Sequence, residues 1–103
     1  MTTEEMIENF IQLGMKAYKK NSKGSPEAEK LYHHKPVVIQ GQEFTCWREY
    51  ATFKMAEHIR EVLPDAGIEV TLDGENSTIQ IEIDDEEQKK LNREMYNFLK
   101  EYK

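Results

Sequence analysis

Cysteine is almost missing from this chain: of 103 residues, only Cys46 carries a thiol. An internal disulfide framework is therefore excluded, and a lone thiol fits a reducing compartment. Long apolar runs are absent too. None approaches the roughly 20 residues needed to cross a bilayer, and the opening MTTEEMIENF lacks the basic and apolar regions of a signal peptide. These absences predict a cytoplasmic protein with no membrane partner. No glycine-rich phosphate loop, GxSxG or HExxH occurs. Internal repeats and flexible linkers are missing as well, so residues 1–103 are expected to form a single α+β domain. Residues 66–87 contain no base at all, against eight acids.

What is present points to one modest core. Apolar residues make up 38% of the chain and recur at regular spacings, which argues against disorder. Thr2 and Glu5 form a capping-box pattern. Behind it, Ile7, Phe10, Ile11, Gly14, Ala17 and Tyr18 mark one helical stripe, closed by Lys19, Lys20, Lys23 and Gly24. Ser25-Pro26-Glu27 opens a second helix of a turn or two, stopped before Pro36. Val37, Ile39 and Phe44 share a face if Gln40-Gly41 makes a tight turn; a longer strand with a glycine bulge is the alternative. Thr45 is the expected N-cap of a third helix from about Cys46 to Leu63. Its buried face carries Trp47, Ala51, Met55, Ile59 and Val62, and Pro64 and Gly67 end it.

The strongest pattern follows. Ile68, Val70 and Leu72 alternate with polar residues, as do Ile79, Ile81 and Ile83, around a turn at 74–77. This is a hairpin with one dry and one wet face. With Leu72 opposite Ile79 and Val70 opposite Ile81, Glu69 and Glu82 become neighbours on the wet face. A last helix starts among Asp84, Asp85, Glu86 and Glu87 and presents Leu91, Met95, Phe98, Leu99 and Tyr102. The expected architecture has two layers, an antiparallel sheet of three to four strands, made of two hairpins and covered on one face by helices, in the order α-(short α)-β-β-α-β-β-α.

Charge is unevenly distributed. The formal net charge is −6, which disfavours nonspecific binding to nucleic acid or anionic membranes. By segment it is +1 over 1–35, −2 over 36–65, −8 over 66–87 and +3 over 88–103. Outward side chains on a strand repeat about every 6.7 Å, so the second hairpin projects spaced carboxylates. A solvated face that aids solubility is one reading. A docking surface for a basic partner is the other, since such a patch steers encounter and confers specificity. A nucleic-acid-binding enzyme is a natural basic partner because its channel neutralises phosphates. Small acidic inhibitors of phages and other mobile elements exploit this by charge mimicry. The residues expected to bind are Glu69, Asp73, Glu75, Glu82, Asp84 and Asp85, and reversing Glu69, Glu82 and Asp84 to lysine is expected to spare the fold.

Signals for catalysis are weak. Cys46 sits where free helix N–H groups would stabilise a thiolate, but His58, twelve residues on, lies roughly 18 Å away along one helix. His33, His34, His58 and Cys46 match no zinc spacing. Asp84–Glu87 lacks the alternating ligands and glycine of a calcium loop. Neither metal nor cofactor is expected, and the chain reads as non-catalytic. Trp47, Tyr50 and Phe53 read as core rather than as a base-stacking platform. Two alternatives accompany the docking reading. The groups Lys16-Lys19-Lys20-Lys23 and Lys89-Lys90-Arg93 would make a nucleic-acid contact if folding joined them. Five tyrosines, at 18, 32, 50, 96 and 102, would suit a homodimer interface.

Overall fold

A computed structural model describes residues 2–22 and 24–101. Lys23 and Tyr102, expected near the ends of the first and last helices, lie outside the described residues. Among the described residues four helices and four strands follow the expected α+β order: α1 (Thr3–Asn21), α2 (Pro26–Tyr32), β1 (Val37–Ile39), β2 (Gln42–Phe44), α3 (Trp47–Val62), β3 (Gly67–Thr71), β4 (Thr78–Glu82) and α4 (Asp85–Lys100). A single 3-10 turn, Gly74–Asn76, separates β3 from β4.

Local chemistry sets the helix ends. At α1 the Thr2 hydroxyl accepts from the Glu5 N–H and the Glu5 carboxylate accepts from the Thr2 N–H, satisfying two donors that a helix start leaves free. Ser25 caps α2 with proline at its first position. Asp84 and Glu87 form a second capping box on α4.

The helix α3 is the hub, packed against α1, α4, β2, β3, β4 and the 3-10 turn. Of its predicted stripe Trp47, Ala51, Met55 and Ile59 are buried and Val62 is half-buried, and Thr52 and Ala56 are buried with them, so more than one side of α3 is covered. Where α1 crosses it, Gly14 lacks the Cβ that would stand 3.2–3.3 Å from the Met55 side chain, so the two helices approach closely. Residues from all four helices and from β1, β2 and β4 meet in one core.

Among the described residues the strands form two separate two-stranded ladders, β1–β2 and β3–β4, rather than one continuous sheet. The first is a tight hairpin: Gln40 and Gly41 both take positive φ, 53° and 80°, as a two-residue primed turn requires. Val37 and Phe44 pair across it and are buried, whereas Val38 points outward. In the second ladder Ile68, Val70, Ile79 and Ile81 pack on the core from one face. Among the described residues no helix is long and apolar enough to cross a membrane.

Candidate functional site

The register of the acidic hairpin differs from expectation by two residues. Val70 pairs with Ile79 and Ile68 with Ile81, so Glu69 stands opposite Gln80 and Glu82 opposite Gly67. The cause lies in residues 73–77, which fold into a turn of their own. The Ser77 hydroxyl accepts from the Asp73 N–H and donates to the Gly74 carbonyl, while the Asn76 and Ser77 N–H groups bond back to Asp73 and Gly74. Asp73 and Leu72 are thereby withdrawn from the ladder. An even shift leaves every side chain on its expected face. Glu69 and Glu82 are diagonal neighbours on the outer face, and no two carboxylates stand directly opposed.

This turn is held by two charged residues of α3, Arg48 and Glu49, that no sequence pattern singled out. Glu49 is only 9% exposed. Its carboxylate accepts from the Thr45 N–H at 2.6 Å, the Thr45 hydroxyl at 2.7 Å and the Gly74 N–H at 2.9 Å. Burial alone would raise its pKa. The Gly74 and Thr45 hydrogen bonds outweigh that and hold it below the ordinary value. Thr45 is thus not the N-cap: its hydroxyl donates to Glu49, and Cys46 occupies the cap position without a side-chain bond.

Arg48, 8% exposed, donates to the Ser77 carbonyl at 2.8 Å and bidentately to Glu8 of α1 at 2.8 and 2.7 Å. The hydrogen bond from Arg48 lowers the Glu8 pKa, and its counterpart raises that of Arg48. A glutamate at the third position of α3 is the one sequence signal that hinted at this anchor. The distant partners Gly74, Ser77 and Glu8 left no local trace.

All six expected binding residues, Glu69, Asp73, Glu75, Glu82, Asp84 and Asp85, are exposed. Among the described residues no ion pair engages any of them. Asp84 differs from the others because its carboxylate caps α4. Reversing it to lysine would remove that cap, a stability cost of about 0.5–2 kcal/mol that the same change at Asp85 avoids, so Asp85 is the cleaner third position. Folding also recruits acids from far away in sequence. The exposed Glu4 and Glu5 of α1 border a groove with Thr78, Ile79 and Gln80 of β4, which the charge of +1 over residues 1–35 conceals.

The basic groups are not brought together. Thr3 bonds Gln88 and Phe10 meets Tyr96, so α1 and α4 run side by side in the same direction. Lys89, Lys90 and Arg93 therefore flank the first half of α1, while Lys16, Lys19 and Lys20 lie about 13 residues further on, roughly 20 Å along the axis. Of the tyrosines, Tyr18 is buried and Tyr50 half-buried against Phe44 and Trp47, whereas Tyr32 and Tyr96 are exposed.

Cys46 is buried, and burial pushes its thiol above the usual value, with the Glu75 and Glu49 carboxylates adding to the effect. It is held as a thiol, a poor nucleophile. His58 stacks on Phe98 at 4.0 Å, and His33 sits on the surface beside Glu29. No group of three His, Cys, Asp or Glu is placed to hold a metal ion among the described residues. Set against family models, curated proteins and solved structures, the chain matches none.

Proposed function

We propose that this protein is a non-catalytic binding module whose acidic hairpin docks on a basic surface of another protein. A nucleic-acid-binding enzyme is the partner class that best suits it, with carboxylates occupying positions that phosphates otherwise fill. One observation carries the reading: exposed carboxylates, none of them in an ion pair among the described residues, stand along a hairpin whose turn is clamped by buried Glu49 and Arg48. A purely solubilising face gains little from such an anchor. A recognition surface gains a fixed geometry, which lowers the entropy lost on binding.

The test is affinity capture from host lysate with the immobilised protein at low and high salt, alongside the variant Glu69→Lys/Glu82→Lys/Asp85→Lys. The expected result is a basic nucleic-acid-handling protein retained at low salt, released at high salt and lost with the variant. Retention that ignores salt, or that the folded triple variant preserves, would refute the proposal.

A further inference from the structure

The groove beside β4 extends the docking reading to a specific mode of engagement. Two adjoining hollows of about 350 and 420 Å³ run between the start of α1 and β4 and share Glu4, Ile79 and Gln80. Ile79 belongs to the dry face of β4 and Gln80 to the wet face, yet both border the groove and no residue of β3 does. The groove therefore follows the free edge of β4. Along that edge no backbone hydrogen bond to another element occurs among the described residues. Its floor is apolar, from Ile7, Ile79 and Ile81, and its rim carries the exposed carboxylates of Glu4 and Glu5. Glu8 also lines it, neutralised by Arg48.

We infer that β4 accepts an extended segment of the basic partner as a third strand, with lysine or arginine side chains on the rim and apolar ones on the floor. The inference rests on the acidic-docking reading and specifies how the partner is held. Main-chain hydrogen bonds to an open edge supply affinity, and alternate side chains supply selectivity. Charge selects against a second copy of this chain as the occupant. Two β4 edges pairing would set the Glu4, Glu5 and Glu82 carboxylates of one copy close to those of the other, in a molecule of net charge −6.

The test titrates the ¹⁵N-labelled full chain with acetyl-Lys-Val-Lys-Thr-Lys-Val-Lys-amide, followed by amide chemical shifts. The expected result is that residues 78–82 and the first turn of α1 shift and that exchange of the β4 amides slows. Two further peptides are N-methylated at alternate positions in opposite phase. One phase blocks the amides that face β4 and abolishes binding; the other leaves it intact. Glu4→Lys, which leaves the Thr2–Glu5 cap in place, weakens binding several-fold. Equal binding by both methylated peptides, shifts confined to the outer face around Glu69 and Glu82, or no shifts at all would overturn strand addition. Should the parent peptide bind in a manner sensitive to Glu69→Lys/Glu82→Lys/Asp85→Lys but indifferent to methylation, acidic docking survives and only the edge mode fails.

Discussion

Replacing Glu49 with glutamine tests whether the hairpin's turn is anchored as described. The carboxylate serves three donors, two from Thr45 and one from Gly74. An amide has one oxygen and one NH₂, so if the oxygen faces Thr45, the NH₂ confronts the Gly74 N–H. A buried donor left without an acceptor costs about 1–3 kcal/mol, and exchanging a charged for a neutral acceptor at Thr45 costs about 1 kcal/mol more. The expected loss is about 3 kcal/mol, which a domain of ordinary stability, about 5–15 kcal/mol, survives. With a urea dependence of about 1–3 kcal/mol per molar for a small protein, the midpoint falls by about 1.5 M. The assay is urea unfolding followed by circular dichroism, with hydrogen exchange at the Gly74 amide as the local reporter. Thr45→Ala removes one side-chain donor and leaves the charge in place, so it costs about 1 kcal/mol. A Glu49→Gln midpoint within about 0.3 M of the parent, or an unchanged Gly74 exchange rate, would refute the anchor.

Other expectations follow from the same geometry. Glu8 and Glu49 have lowered pKa values in the folded state, so their contribution is fully present above the ordinary glutamate value of 4.5 and is lost as pH falls through the folded values. Acid titration of unfolding stability is therefore steeper for the parent than for Glu49→Gln, and identical slopes would contradict the assignment. Asp84→Ala removes the cap of α4 and costs about 0.5–2 kcal/mol, while Asp85→Ala stays within about 0.5 kcal/mol; thermal unfolding separates them. Cys46 resists iodoacetamide in the native state and reacts on unfolding, because its thiol is buried and protonated. Native labelling at the rate of a free thiol would exclude this.

Much of the fold was legible because its signals are local. Thr2 with Glu5, Ser25 with Pro26, and Asp84 with Glu87 announce helix starts within four residues. Alternation in residues 68–72 and 79–83 announces a hairpin and its wet face, which is why the exposure of Glu69 and Glu82 was readable in advance. Register was not readable, because a shift by two residues preserves every face; the Ser77-centred turn decided it through bonds formed only on folding. The two hairpins were legible, but that they stay apart rather than join in one sheet was hidden, since alternation shows a strand's faces and not its lateral neighbours.

The site divides in the same way. The run of eight acids without a base belongs to the sequence alone. Tertiary structure alone decided that Arg48 and Glu49 are buried, because their partners lie 25 to 40 residues away. It likewise carried Glu4 and Glu5 to the edge of β4 and kept the two lysine groups apart. Caps and periodicity are properties of neighbouring residues, whereas burial of a charge depends on which distant groups folding places within hydrogen-bonding reach.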